Sequence, residues 1–320
     1  IIHNDEVVVN EPSIIALNRN NMKEVLGVGK KALLMHEKTH ESIKTVRPLK
    51  DGVIADFNAA ELMIRELMKM IYPKKPLFPP SWRMVICIPS SITEVEKRAV
   101  RDSAEQAGAK EVYMIHEPMA AALGIGIDVE EPVGNMIIDI GGGTTGITVI
   151  ALAGIVCDQS IRIAGDEFTA DIMEALRRYH SLLIGERTAE QIKIHVGAAL
   201  KDLDNPPEDM PVNGRDLVTG IPKQIMVSYQ EVAEALDKSI FKIEEAILKA
   251  LETTPPELAA DIYRRGLYIT GGGSLLRGLD KRLSAKIKLP VHVAEDPLRA
   301  VVRGTGIALK NIGGYKFLMQ

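Results

Sequence analysis

Residues 136–150 read MIIDIGGGTTGITVI. Two apolar strands are expected here, Asn135–Ile140 and Gly146–Ala151, joined by Gly141-Gly142-Gly143-Thr144-Thr145. Three glycines let a ligand approach the backbone with no Cβ in the way. Successive N–H groups in such a turn form an anion-binding nest, and the hydroxyls of Thr144 and Thr145 can add donors. Asp139, at the strand's end, is placed to hold Mg²⁺ through water, because that ion keeps several of its waters. The pattern is not a Walker loop: no Gly-Lys-Ser/Thr follows, and the next element is a strand. The plainer reading is a hairpin whose acid caps the turn, but a hairpin needs only one or two glycines.

A second triple glycine lies about 130 residues later, in LYITGGGSLLRGLD (267–280). Strand Leu267–Thr270 runs through Gly271-Gly272-Gly273 toward a helix at about Leu276–Ala285. Alone, this pattern fits either a simple strand-to-helix turn or an anion site. Two such turns in one chain suggest a single nucleotide gripped from more than one side. A third signal is His116-Glu117-Pro118-Met119-Ala120-Ala121. Glu117 at a strand-to-helix junction can position water for attack on a phosphate, or can simply complement the helix dipole. Spacing alone favours the dipole.

The 320 residues exceed one hydrophobic core and suggest two lobes. A net charge of −4 and few aromatic residues argue against nucleic acid as a partner. Cys87 and Cys157 sit in apolar runs and read as buried free thiols suited to a reducing compartment. No stretch approaches the ~20 apolar residues that span a bilayer. Strands and helices alternate throughout, giving an α/β class. IIHNDEVVV (1–9) and SIIAL (13–17) read as two strands. Asp56–Ile71 has helical spacing, Thr93-x-x-Glu96 is a capping box, and Gln230–Thr253 is a long helix closed by Thr254-Pro255-Pro256.

DIGGGTT (139–145), EPMAAALG (117–124) and TGGGSLLRGL (270–279) together resemble the actin, heat-shock chaperone and sugar-kinase superfamily. Within it, VVNEPSIIAL (8–17), IKTVRPLKDGVIADF (43–57), IGERTAEQIKIHVG (184–197), PPELAADI (255–262) and EDPLRAVVRGTGIAL (295–309) resemble the MreB family of bacterial actin homologues. The likeness runs from Val7 to about Leu309. It implies an actin-like, ribonuclease H-like fold of two lobes with ATP and Mg²⁺ in the cleft between them. The implied lobe cores are 1–15, 58–132 and 304–320, and 133–166 with 229–303; the implied small subdomains are 16–57 and 167–228.

By position, Gly141, Gly142, Gly143 and Thr144 resemble the family's second phosphate loop, and Asp139 its Mg²⁺-associated acid. Glu117 takes the place of the water-activating residue. Glu190 and Lys193 resemble residues beside adenine and ribose, and Gly271, Gly272, Gly273 and Ser274 the adenosine turn. The family's first phosphate hairpin should precede Ile1, so the sequence reads as a fragment starting within that strand pair. The resemblance further implies slow ATP hydrolysis and self-assembly into paired protofilaments. It implies a cytoplasmic location at the inner face of the cell membrane, beside membrane proteins of cell shape and wall synthesis. Leu77, Phe78 and Trp82, in the proline-rich stretch 76–82, either dip into that bilayer or cover the adjacent strand. A chaperone ATPase would need a peptide-binding domain after the core, and a kinase a substrate-binding aspartate; neither feature is evident.

Overall fold

The computed structural model describes residues 1–4, 6–36, 38, 40–50, 53–71 and 82–319. The chain forms two compact units, Ile1–Ile127 with Val301–Gln320, and Asp128–Ala300. The changeovers at 127/128 and 300/301 fall shortly before the borders at 132/133 and 303/304 drawn from sequence.

The first unit opens with β1 (Ile2–His3) and β2 (Glu6–Val7), an antiparallel pair with Ile2 opposite Val7. The single strand expected over 1–9 therefore folds back on itself. Asn4 makes this possible by adopting φ 50°, a left-handed conformation that asparagine tolerates. Next come β3 (Ile15–Asn18), β4 (Asn21–Val28), α1 (Lys30–Met35), β5 (Ile43–Val46), β6 (Leu49–Lys50) and β7 (Val53–Ile54). β3 is the centre of an antiparallel sheet ordered β4-β3-β5. α2 (Phe57–Ile71) packs its Ala59 and Met63 against Ile15 and Leu17 of that sheet.

β8 (Trp82–Ile88), α3 (Glu94–Gln106) and β9 (Ala109–His116) form a parallel crossover unit. The capping box is in place: Thr93 Oγ1 accepts from the Glu96 N–H, and the Glu96 carboxylate accepts from the Thr93 N–H at 2.8 Å. α4 (Glu117–Gly124) follows β9 without a loop.

The second unit contains β10 (Asn135–Ile140), β11 (Thr145–Ala151), β12 (Gly154–Ile161), α5 (Gly165–His180), β13 (Leu182–Leu183) and α6 (Glu186–Val196). It continues with β14 (Met210–Asp216), β15 (Pro222–Val227), α7 (Tyr229–Thr253), α8 (Pro256–Arg265), β16 (Leu267–Thr270), α9 (Leu279–Ile287) and β17 (Val291–Val293). Five strands make one mixed sheet ordered β12-β11-β10-β16-β17. β10 buries Met136, Ile137, Ile138 and Ile140 on its two faces, as befits a central strand with a near-continuous apolar run, and only Asp139 is half-buried. α7 buries Val232, Leu236, Ile240, Ile243 and Ile247 in the same core cluster, at the three- and four-residue spacing of one helix face.

α8 was not anticipated, because Pro255-Pro256 read only as a helix stop. Pro256 instead starts the helix, at a position where its missing N–H costs nothing. Finally α10 (Ala300–Lys310) belongs, from Val301 onward, to the first unit. It lies so close to α4 that a side chain at Gly304 would collide with the Ala120 carbonyl.

Candidate nucleotide site

β10 and β16 are parallel neighbours, with Asp139 opposite Thr270. The two triple-glycine turns therefore leave the sheet side by side, at the same level. In the first, the Gly141 N–H donates to the Thr144 carbonyl at 3.0 Å. The carbonyls of Gly141 and Gly142 accept from Gly165 N (3.1 Å) and Asp166 N (2.7 Å), which fastens the turn to the start of α5. None of Gly141, Gly142 and Gly143 has a positive φ, so backbone torsion does not demand glycine there. Nor does packing at Gly142, where the nearest atom to an added Cβ would be 3.9 Å away. The missing side chain leaves bare backbone, open to close approach.

The second turn differs. Gly271 has φ 79°, and a side chain on it would run into the Asp139 carboxylate and the Ile140 carbonyl. A side chain on Gly273 would strike that of Ile140. These two glycines are required by the fit of the second turn against β10. The turn enters a 3₁₀ segment, Gly272–Leu275, and α9 starts only at Leu279, three residues after the helix start expected from sequence. Two hydroxyls are engaged inside the protein. Ser274 Oγ donates to the Gly271 carbonyl (2.7 Å), and Thr145 Oγ1 to the Ile163 carbonyl (2.6 Å). Thr145 is thus not the extra donor that its place in the turn suggested.

α6 brings Glu190 and Lys193 to the first turn. Lys193 Nζ lies 2.6 Å from Glu190 Oε2 and donates to the Gly165 carbonyl at 2.7 Å and to Thr169 Oγ1 at 3.1 Å. Thr169 Oγ1 in turn donates to Glu190 Oε2 at 2.9 Å. A Cβ at Gly165 would stand 3.2 Å from the ammonium and 3.3 Å from the Gly141 carbonyl, so the lysine sits directly over the α5–turn junction. No sequence motif singled out Thr169 or Gly165; their importance arises from the crossing of α5 and α6.

Burial pushes the Asp139 carboxyl up to about 6, since the charged form loses its water. Among the described residues no cluster of three or more His, Cys, Asp or Glu could hold a metal ion. A cation here would take most of its ligands from water and the ligand's own oxygens, with Asp139 behind them, which suits Mg²⁺ beside phosphates.

Asp139, both glycine turns, Glu190 and Lys193 thus share the second unit, whereas Glu117 belongs to the first. Glu117 is the first residue of α4, half-buried, with Pro118 next. Leu77 and Phe78 lie outside the described residues. Trp82 is not on a loop: it opens β8, half-buried, with its ring centroid 5.7 Å from that of His3 in a T-shaped arrangement. No helix among the described residues is long and apolar enough to cross a membrane.

The sequence model of the MreB/Mbl protein family matches residues 1–316. The chain belongs to the MreB/Mbl family. A cell shape-determining protein Mbl from Bacillus subtilis is 47% identical over 306 residues, covering 96% of this chain and 90% of that protein. A cell shape-determining protein MreB from Escherichia coli K12 is 45% identical over 309 residues, covering 96% and 88%. Among solved structures, MreB5 of Spiroplasma citri bound to AMPPNP superposes with a TM-score of 0.89 at 39% identity, covering 97% of this chain and 92% of that one. The fold of this MreB/Mbl member is actin-like. A MamK double helical filament shares the fold at a TM-score of 0.75 and 22% identity, covering 93% and 91%.

Proposed function

We propose that this chain binds ATP with Mg²⁺, hydrolyses it slowly, and polymerises into paired protofilaments on the inner face of the cell membrane. There it directs wall synthesis and rod shape together with membrane proteins of those processes. The observation that carries the reading is the bare Gly141–Thr144 turn, with Asp139 at its base and Lys193 at its side, in a chain 47% identical to a cell shape-determining Mbl. Support comes also from the MreB5 relatives solved with AMPPNP and with ADP.

In this reading the N–H groups of Gly142, Gly143 and Thr144 hold phosphate oxygens, as backbone nests do. Glu190 and Lys193 flank the ribose and adenine, and the turn from Gly271 to Ser274 lines the adenosine. Bound Mg²⁺ supplies charge neutralisation at the phosphates, and Asp139 receives it through water. Glu117 orients the attacking water, as carboxylates and amides do in other phosphoryl-transfer enzymes. Residues 16–57 and 167–228 act as the small subdomains. Leu77 and Phe78 mark the membrane-facing stretch, with Lys74 and Lys75 beside anionic head groups, and Trp82 covers the start of β8.

Sedimentation and electron microscopy with ATP and Mg²⁺ test the proposal. Pelleting filaments are expected with ATP. Protein that binds ATP yet stays in the supernatant, with no filaments on the grid, would instead fit a chaperone-type or kinase-type ATPase.

A further inference from the structure

The strongest buried charge constellation away from the glycine turns lies on α7 and α9. Arg282 Nε donates to Glu244 Oε1 at 2.6 Å, with the arginine side chain only 15% exposed and the glutamate 5%. Its other nitrogens meet Asp237 Oδ1 at 2.8 Å, the Asp237 carbonyl at 3.4 Å and the Ala199 carbonyl at 3.2 Å. Taking two charges out of water is costly, and such a pair is weak evidence of stabilisation by itself. What it holds is more informative.

Ala199 stands just beyond the end of α6, the helix that carries Glu190 and Lys193. The segment after α6 is clasped by residues that follow the second glycine turn. Ala199 N donates to the Arg277 carbonyl at 2.8 Å, and Arg277 N and Nη1 both reach the Gly197 carbonyl at 3.4 Å. At Gly278 an added side chain would press on Leu200 and Leu203. Arg282 is the charged centre of this clasp, and Glu244 and Asp237 fix its guanidinium from α7. The planar guanidinium meets all of these acceptors at once, which a lysine cannot do.

We infer that Arg282, held by Glu244, is a positioning residue for nucleotide. It fixes the spacing between α6, with Glu190 and Lys193, and the turn from Gly271 to Ser274, so that both meet the same ligand. The inference rests on the nucleotide reading of this site. Outer-shell partners of metal ligands typically cost ten- to a hundredfold in affinity when lost, and a loss at the low end of that range is expected for a residue that holds α6 against the second turn.

The test replaces the pair by apolar residues of similar volume, Arg282→Met with Glu244→Leu, in the full chain. Thermal unfolding and ATP–Mg²⁺ affinity by calorimetry are both measured. Apolar replacement of a buried ion pair often preserves stability, so a purely structural pair would leave both readouts near wild type. The positioning role predicts retained thermal stability with ATP affinity down about tenfold or more. Lys281→Ala, which removes only the neighbouring surface pair with Asp204, should bind ATP as wild type does. If the double variant fails to fold, Arg282→Lys serves instead: it keeps a charge for Glu244 but cannot span to Ala199, and the same affinity loss is expected. Wild-type affinity in the folded variant would overturn the inference. Absence of ATP binding by the wild-type chain would overturn the nucleotide reading itself, and this inference with it.

Discussion

Asp139 and Thr270 face each other across two parallel strands, so two glycine turns far apart in sequence begin one strand spacing apart, about 4.8 Å. The turns are consequently unequal. One presents bare backbone, and the other is shaped by having to fit beside it.

Gly271→Ala and Gly142→Ala should therefore have opposite signatures. The first meets both a positive φ and a collision with Asp139 and Ile140, and should cost about 2–4 kcal/mol of stability. The second meets only an ordinary contact with the Asp166 carboxylate and should stay within about 0.5 kcal/mol of wild type, while lowering ATP affinity at least tenfold by obstructing the phosphate approach. Urea unfolding and calorimetry check the pair; equal stability losses would refute the distinction.

Asp139 sets a pH dependence. Its folded-state value, raised to about 6, lies above the ordinary aspartate value of 3.8. A raised acid binds its proton more readily when folded. Its favourable contribution is therefore full below about 4 and lost as pH rises through 6. Ligand-free protein should gain stability as pH falls from 7.5 to 5.5, to the extent that this group dominates. Asp139→Asn should be more stable than wild type at pH 7.5 without ligand, with a flatter profile, and should gain less from ATP with Mg²⁺. A less stable Asp139→Asn protein at pH 7.5 would contradict the desolvation argument.

Glu117→Ala should keep ATP affinity within about twofold and lose phosphate release, because the carboxylate acts on water and not on the nucleotide. Normal turnover in a phosphate-release assay would remove its assigned role and leave the complement to the α4 dipole.

Leu77→Ala combined with Phe78→Ala should weaken co-sedimentation with anionic vesicles. Trp82→Ala should do so much less, since this residue belongs to β8. Unchanged sedimentation of the Leu77/Phe78 variant would take the stretch out of the membrane argument.

Most of what positions the site was legible in local patterns. The apolar run of β10, the capping box at Thr93 and the helical spacing of α7 are each set by neighbours in sequence, and each appears where those neighbours put it. Three features were not legible, for different reasons. The β1–β2 hairpin depends on Asn4 accepting a left-handed torsion within a run that otherwise reads as extended. α8 hides behind a proline pair that can start a helix as readily as stop one. The reason for glycine at 271 and 273 lies in Ile140, a partner on another strand that no local reading could supply. Thr169 and Arg282 likewise gain their meaning only from helices that cross in space.

The bonds from Gly165 and Asp166 to the first turn have a mechanical consequence. α5 has 16 residues, a rod about 24 Å long, and its near end is bolted to the Gly141 and Gly142 carbonyls. Its far end is His180, whose Nε2 lies 2.7 Å from Glu231 Oε1 at the start of α7. A single stiff strut, hydrogen-bonded at both ends, thus ties the first glycine turn to the head of the longest helix in the second unit.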